Sequence, residues 1–276
     1  MNNYSIGFIG GGNMAASIIG GLINDGFPAA NISVAEPNDA ARGQLSANLG
    51  IRTESDNTVI SSNVDVLVLA VKPQVLKEVS QQVASIIQAK QPLVISIVAG
   101  IRSSDISSWL GGNAAIVRSM PNTPSLVQSG ATGLFANAQV SETQREQAES
   151  ILRAVGITVW LENEQLIDAV TALSGSGPAY IFYVIEAMEN AGVELGLDAN
   201  TARHLAVQTA FGASKLALES AEDPAVLRKK VTSPGGTTER ALDSLRDSGL
   251  DSMFLNAMQA ASDRAAELAD QFGDND

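Results

Sequence analysis

The chain has 276 residues, of which 45% are hydrophobic and 17% charged, a composition typical of a soluble globular protein large enough for two modest domains. Its formal net charge of −13 argues against nucleic acid and anionic membranes as partners, so any anion site must be built locally. The absence of cysteine excludes disulfides, zinc–thiolate sites and a cysteine nucleophile, and we expect no metal site. We see neither a transmembrane run nor a signal peptide, and we expect a cytoplasmic protein.

Short apolar runs alternate with helical patterns from residue 4 to about residue 160. The runs are YSIGFIG, NISVAEP, VDVLVLAV, PLVISIVAG, AAIVRSM, GATGLFA and ITVWLE. Most are rich in β-branched residues, as expected for strands that are covered on both faces. Helical segments between them, such as AASIIGGLINDG with Gly26 as its stop, indicate βαβ units and a mostly parallel sheet. We therefore expect an α/β domain over residues 1–162.

The remaining residues, 163–276, are predicted to form an all-helical domain. Apolar residues recur at helical spacing from Leu205 to Leu216 and from Leu250 to Phe272. Asp198 is predicted to cap one helix, and Pro224 to occupy the first turn of another. Such stripes are normally core, but some of these residues could face a second copy of the chain. We therefore expect dimerisation through this half.

A glycine-rich turn follows the first strand. Gly10, Gly12 and Ala15 form the pattern G-x-G-x-x-A between this strand and the next helix. Gly10 allows the tight turn, Gly12 lets a pyrophosphate approach the backbone, and Ala15 permits close packing of helix on strand. The N-terminus of the helix then meets the phosphates, so the pattern predicts dinucleotide binding.

The type of dinucleotide stays open at this stage. Glu36 ends the second strand, where an acidic residue usually binds the ribose hydroxyls of NAD. Alternatively, Glu36 is a solvated charge that points away, and Arg42 or Arg52 serves a 2′-phosphate. His204, the one histidine, lies in an amphipathic stretch without a partner nearby in sequence, so we expect a structural role for it.

Several motifs occur together in a recognisable order. They are FIGGGNM, AVKPQ (70–74), IVAGI (97–101), RSMPNTP (118–124), ALSGSGPAYIF (172–182) and VTSPGGTTERAL (231–242). In this order they resemble the successive motifs of pyrroline-5-carboxylate reductase, and the resemblance covers almost the whole chain. It implies a Rossmann-like dinucleotide-binding domain followed by an all-helical dimerisation domain. It also implies homodimers that assemble further into larger rings, with the active site where cofactor meets the helical domain of the partner subunit.

The implied activity is the last step of proline biosynthesis, the reduction of 1-pyrroline-5-carboxylate to L-proline with NADPH or NADH. The resemblance implies these cofactor-binding residues: Ile9, Gly10, Gly11, Gly12, Asn13, Met14, Ala35, Pro37, Asn57, Ala70, Val71, Lys72, Pro73, Ile97, Ala99 and Glu164. Glu36, considered above for the ribose hydroxyls, completes the expected cofactor site. Within the substrate loop the candidates are Ser233, Gly235, Gly236, Thr237 and Thr238. Backbone N–H groups of Gly236, Thr237 and Thr238 would hold the substrate carboxylate. The chain departs from the family at Lys230, where members often carry an Asn that contacts the cofactor.

The residues themselves suit this chemistry, because reducing a C=N bond needs a hydride donor and a proton but no nucleophile or metal. Thr238 is our candidate for hydrogen bonding, or donating a proton, to the ring nitrogen. Ser174 and Ser176 either cap the next helix or face the substrate. Lys72 either lines the site or is solvated, and Arg118 is expected to bridge a carboxylate or carbonyl groups.

Two alternatives belong to other classes of protein. A β-hydroxyacid dehydrogenase would need a lysine on the first long helix of the second half, and residues 164–190 contain none. A non-catalytic dinucleotide sensor would leave the loop at residues 233–238 unexplained.

Overall fold

The computed structural model describes residues 4–273, and these contain one eight-stranded sheet surrounded and followed by helices. The strands are β1 (Ile6–Ile9), β2 (Ile32–Ala35), β3 (Arg52–Glu54), β4 (Val66–Leu69), β5 (Leu93–Ser96), β6 (Ile116–Met120), β7 (Gly130–Ala136) and β8 (Gly156–Trp160). The helices are α1 (Asn13–Asn24), α2 (Asp39–Leu49), α3 (Asn57–Ser61), α4 (Pro73–Lys90), α5 (Ser103–Trp109), α6 (Glu142–Arg153), α7 (Leu166–Val170), α8 (Gly177–Glu194), α9 (Ala199–Glu219), α10 (Pro224–Lys230), α11 (Thr237–Asp247) and α12 (Leu250–Phe272). Short 3-10 turns at Ala29–Asn31 and Thr123–Val127 and a π-helical turn at Thr171–Gly175 complete the list.

The sheet has the order β3-β2-β1-β4-β5-β6-β7-β8. All neighbouring strands are parallel except β6 and β7, so the predicted mostly parallel sheet is confirmed. The chain order reverses direction between β1 and β4, where Ile9 lies beside Leu69. In doubly wound folds, dinucleotides bind at such a switch point, outside the carboxyl ends of the strands.

Both faces of the sheet are covered by apolar residues, which explains the nearly continuous apolar runs in the sequence. In β4, Val66 and Val68 belong to one core cluster, whereas Leu67 and Leu69 belong to the other, and all are fully buried. Strand β3 is absent from the sequence prediction because it lies at the edge and none of its three residues is buried. Because β3 is not buried, its sequence has no apolar run that could have revealed it.

By contact, the chain divides into two compact units, one comprising Met1–Gly175 with Ala261–Asp276 and the other Ser176–Ala260. The first unit includes the final turns of α12, where Leu268 lies against Gly100 and Phe272 packs on the second core cluster. The proposed domain boundary between residues 162 and 163 follows the end of the last strand. This boundary stays a prediction, and it differs from the division into the two compact units.

The second unit is helical, and two of its helices begin where the sequence predicts. Asp198 caps α9 by accepting a hydrogen bond from the Thr201 backbone N–H at 3.0 Å. Pro224 is the first residue of α10. Within Ser176–Ala260 the buried apolar residues are Ala202 and Ala206, whereas many large apolar side chains there are exposed. Among the described residues, no helix is both long and apolar enough to cross a membrane.

Candidate active site

The glycine-rich turn after β1 provides an open helix N-terminus. Gly10 has a φ of +97°, and a Cβ on it would lie 2.5 Å from the Ala70 carbonyl oxygen, so only glycine fits here. A Cβ on Gly12 would meet no heavy atom within 4 Å, so the space beside this residue is free. Gly12 is also the N-cap of α1, which carries no side-chain cap and no acidic residue in its first turn. The arrangement suits a phosphate group.

The side chain of Glu36 is turned toward this glycine-rich turn. Its Oε2 accepts a hydrogen bond from the Gly11 backbone N–H at 3.0 Å, and its Oε1 accepts one from the Asn38 N–H at 3.0 Å. The alternative in which Glu36 is a solvated charge pointing away is therefore wrong. A carboxylate in this position can accept from ribose hydroxyls and repels a 2′-phosphate.

Both arginines considered for a 2′-phosphate already have partners. Arg42 donates to the carbonyl oxygens of Glu36 at 2.8 Å and Pro37 at 2.9 Å, and to the carboxylate of Asp39 at 2.7 Å. Arg52 donates to the carboxylate of Glu54 at 2.9 Å. Arg42 thereby braces the turn that carries Glu36.

The other predicted cofactor residues of the first unit lie after neighbouring strands or at helix starts. The Ala70 N–H donates to the Ile9 carbonyl at 2.8 Å, which ties the segments following β4 and β1 together. Lys72 is exposed at the N-cap position of α4, directly before Pro73. Asn57 opens α3 and donates to the Gln82 side chain at 2.8 Å. The remaining ones are placed as follows: Asn13 and Met14 in the first turn of α1, Ala35 at the end of β2 before the exposed Pro37, Val71 before α4, and Ile97 and the exposed Ala99 after β5.

Glu164 has most of its acceptor capacity used within the protein. It accepts from both the N–H and the hydroxyl of Ser103 at 2.6 Å, and from Arg118 at 3.1 Å. Arg118 is 3% exposed, and through its ion pair with Glu164 it contacts a carboxylate, as the sequence predicts. Asp168 lies on its other side, with Oδ1 3.9 Å from Nη2. Burial raises the pKa of Asp168, and the guanidinium of Arg118 opposes this.

Sequence reasoning missed Ser103 and Asp168 as members of this cluster. Ser103 follows the IVAGI motif by two positions and begins α5, and this adjacency is the one signal that could have pointed to it. The cluster fixes the start of α5, and hence the segment 97–102, which carries Ile97 and Ala99.

The serines of the SGSGP motif have different surroundings. Ser174 lies in the π-helical turn, where its hydroxyl donates to the Val170 carbonyl at 3.1 Å. Its own carbonyl accepts from the Asn122 side chain at 3.0 Å. Ser176 occupies the N-cap position of α8 but makes no side-chain capping bond. Capping by side chains is therefore not what either serine does, and π-helical turns are frequent at functional sites.

The loop before α11 ends in a second open helix N-terminus. Gly236 is the N-cap and supplies no side chain, while Thr237 and Thr238 are the first residues of the helix. The Gly236 N–H donates to the Ser233 carbonyl at 3.0 Å, so this predicted contact to the substrate carboxylate already has an acceptor. Lys230, nearby in sequence, pairs with Glu222 at 2.6 Å.

His204 is distant in sequence from these motifs and lies on α9, where its Nδ1 is 2.8 Å from the Asn200 carbonyl oxygen. Across residues 4–273, no group of three or more His, Cys, Asp or Glu side chains is arranged to hold a metal ion.

Comparison with known proteins relates both glycine-rich loops to described families. Residues 164–268 match the family described as pyrroline-5-carboxylate reductase dimerisation, and residues 5–100 match the family described as NADP oxidoreductase, coenzyme F420-dependent. A pyrroline-5-carboxylate reductase of Pseudomonas aeruginosa is 49% identical over 273 residues, which cover 99% of this chain and 100% of the relative. The chain belongs to the pyrroline-5-carboxylate reductase family.

Solved structures of the pyrroline-5-carboxylate reductase family agree with this assignment. The Coxiella burnetii enzyme superposes with a TM-score of 0.94 at 46% identity, covering 97% of this chain and 99% of that one. The Plasmodium falciparum enzyme, described with NADP bound, has a TM-score of 0.85 at 29% identity and covers 98% of this chain and 99% of that one. The family and the fold class predicted from the motifs are thus confirmed.

Proposed function

We propose that this chain reduces 1-pyrroline-5-carboxylate to L-proline with NADH or NADPH as hydride donor. One observation carries the proposal: the likeness to a protein named pyrroline-5-carboxylate reductase extends over 99% of the chain at 49% identity. It therefore spans both the glycine-rich turn after β1 and the loop at residues 233–238.

The residues after β1 fit a nicotinamide dinucleotide. The uncapped N-terminus of α1, with free space beside Gly12, would hold the pyrophosphate, and Glu36 would receive the adenosine ribose. The segments Ala70–Pro73 and Ile97–Ala99 would line the remainder. When bound, the cofactor supplies the hydride that reduces the C=N bond.

The loop before α11 would hold the substrate. The carboxylate of the imino acid would accept hydrogen bonds from the N–H groups of Thr237 and Thr238. These local donors would attract the anion although the net charge of the chain is negative. The ring nitrogen is bonded to the carbon that bears this carboxylate, so a hydroxyl on the same loop can reach it. Thr238 would donate a hydrogen bond to the nitrogen and orient the ring, because a threonine hydroxyl is too weak an acid to supply the proton readily. Solvent or an iminium form of the substrate supplies that proton.

A turnover assay with purified protein tests the proposal. Adding 1-pyrroline-5-carboxylate with NADPH or NADH should oxidise the cofactor and release proline in equal amounts. A β-hydroxyacid dehydrogenase would reduce NAD(P)⁺ when given a hydroxyacid. This protein should leave NAD(P)⁺ unreduced in that assay. Binding of NAD(P)H without oxidation in the presence of 1-pyrroline-5-carboxylate would instead indicate a sensor and overturn the proposal.

The helical half supports a homodimer built through residues 164–276, which we propose assembles further into rings of dimers. Leu205, Phe211 and Leu216 on α9 are 55%, 59% and 56% exposed, and a second copy would cover them. The description of the family matched by residues 164–268 includes dimerisation. We propose that the enzyme works in the cytoplasm, with neither nucleic acid nor membrane as a partner.

A further inference from the structure

The loop before α11 contains a tight turn whose geometry depends on one peptide group. The Gly236 N–H donates to the Ser233 carbonyl at 3.0 Å, Pro234 and Gly235 are the corner residues, and Gly235 has a φ of +72°. These are the features of a type II turn, in which the third residue has φ near +80°, whereas a type I turn requires about −90° there. The two turns differ in the orientation of the Pro234–Gly235 peptide.

The carboxylate of Glu239 holds this peptide. Its Oε2 accepts a hydrogen bond from the Gly235 N–H at 2.7 Å. Glu239 is the third residue of α11, the position from which a glutamate usually reaches back to the N–H of the N-cap residue. In this loop the N–H of the N-cap, Gly236, is already bonded to Ser233, so the carboxylate bonds one residue further back. The bond favours the left-handed conformation of Gly235 and therefore the type II turn.

The same bond keeps Glu239 away from the first amides of its own helix. A carboxylate in the first turn is attracted to these N–H groups and to the positive end of the helix dipole. The N-cap residue is glycine, so the cap supplies no side-chain acceptor to the N–H groups of Thr237 and Thr238. With Glu239 bonded to Gly235, the amides of these two threonines stay available to an anion.

We infer that Glu239 is a positioning residue for substrate binding: by holding Gly235 it shapes the turn and leaves the Thr237 and Thr238 amides to the substrate carboxylate. The inference rests on the proposed function, which assigns that carboxylate to this loop. Glu239 acts through the backbone and does not touch the reacting atoms.

Substitution of Glu239 should affect substrate binding selectively. Glu239→Ala should raise KM for 1-pyrroline-5-carboxylate about tenfold, as expected from one hydrogen bond to a charged group that is partly exposed. The value of kcat and KM for NAD(P)H should change by less than about twofold, since the cofactor residues are untouched. Glu239→Gln keeps an acceptor oxygen and should restore most of the affinity. Asp247→Ala removes the same charge at the other end of α11 and serves as the matched control.

A second variant perturbs the turn without removing Glu239. A Cβ on Gly235 would meet no heavy atom within 4 Å, so Gly235→Ala opposes only the positive φ. It should raise KM for 1-pyrroline-5-carboxylate as Glu239→Ala does. The double variant should be no worse than the weaker-binding single variant, because both substitutions act through the same turn.

The bond itself can be observed without turnover. In protein labelled with ¹⁵N-glycine, the Gly235 amide resonance should shift in Glu239→Ala and return toward its wild-type position in Glu239→Gln. An unmoved Gly235 resonance in Glu239→Ala would overturn the inference, and so would an unchanged KM for 1-pyrroline-5-carboxylate in Glu239→Ala and Gly235→Ala. If the wild type is active in the same assay, the proposed function still stands. A wild type that does not reduce 1-pyrroline-5-carboxylate would overturn both.

Discussion

Replacing Arg118 by methionine tests how the charge cluster beside the segment that carries Ile97 and Ala99 is stabilised. The Arg118 side chain is 4% exposed, and its guanidinium lies 3.1 Å from the Glu164 carboxylate and 3.9 Å from that of Asp168. Methionine has a similar length and keeps much of the packing but carries no charge. Arg118→Met therefore leaves the carboxylates of Glu164 and Asp168 in place without this guanidinium.

The size of the effect follows from the burial of these groups. Breaking a buried ion pair from one side costs about 3–5 kcal/mol. Both carboxylate side chains retain some exposure, 18% for Glu164 and 21% for Asp168, so solvent screens part of that cost. We expect a loss of about 2–4 kcal/mol in unfolding free energy. At ~2–4 °C per kcal/mol for chains of about this size, Tm should fall by roughly 4–16 °C.

The loss should depend on pH in a defined direction. Burial raises the pKa of Asp168 and the Arg118 guanidinium lowers it, so removing Arg118 raises this pKa further. A raised pKa means that the folded protein holds a proton that the unfolded chain releases, so stability falls as pH rises above the ordinary Asp value of about 3.9. The difference between wild type and Arg118→Met should therefore grow as pH rises from about 4 toward neutrality.

Thermal unfolding at fixed protein concentration and several pH values measures this difference. Arg153→Met is the matched control, because Arg153 is 66% exposed and pairs with Glu149 at 3.4 Å, and it should cost less than about 1 kcal/mol. Adding Asp168→Asn to Arg118→Met should recover part of the loss. A loss that stays constant across pH and is not recovered would show that Arg118 acts by packing and refute the electrostatic explanation.

Three further predictions concern the site and the assembly. Thr238→Ala should lower kcat by roughly a hundredfold, because an orienting hydrogen bond should contribute at the lower end of the ~10²–10⁴-fold that proton-transfer partners supply, while Thr238→Ser retains much of the rate. Near-full kcat in steady-state assays of Thr238→Ala would contradict this. Both cofactors should work, and Glu36→Ala should shift kcat/KM toward NADPH by removing the carboxylate beside the 2′ position; an unchanged ratio would exclude that role. Light scattering should show at least a dimer, and an active monomer of 28.7 kDa would disprove dimerisation through residues 164–276.

The fold could be predicted where burial left a pattern in the sequence. The strands covered on both faces were found from their apolar runs, whereas β3 was not, because Arg52, Thr53 and Glu54 are all at least partly exposed. The stripe from Leu250 to Phe272 correctly predicted one helix. That stripe has the same spacing throughout, so it could not indicate that the turns after Ala261 belong to the sheet-containing unit.

The candidate site could be predicted as segments but not as contacts. Motif order located the two loops, since the glycine at an open helix start is itself the signal. The direction of a side chain depends on neighbours far away in sequence: the Arg118–Glu164 pair joins positions 46 residues apart. Likewise, the hydrogen bond from the Gly236 N–H to the Ser233 carbonyl depends on the turn geometry. The sequence SPGG is compatible with this turn but does not require it.

The two loops share one local arrangement, which would let an acidic chain present the two proposed anion sites. In each, the helix N-cap is a glycine without a side-chain acceptor, Gly12 for α1 and Gly236 for α11. In each, the N–H of the glycine just before the N-cap donates to a glutamate, Gly11 to Glu36 at 3.0 Å and Gly235 to Glu239 at 2.7 Å. The glutamate thus fixes the approach of the loop by bonding outside the helix, while the first amides of the helix keep their positive potential for a ligand. A net charge of −13 does not weaken such a site much, because its attraction acts within hydrogen-bonding distance whereas screening reduces the long-range field of the surface.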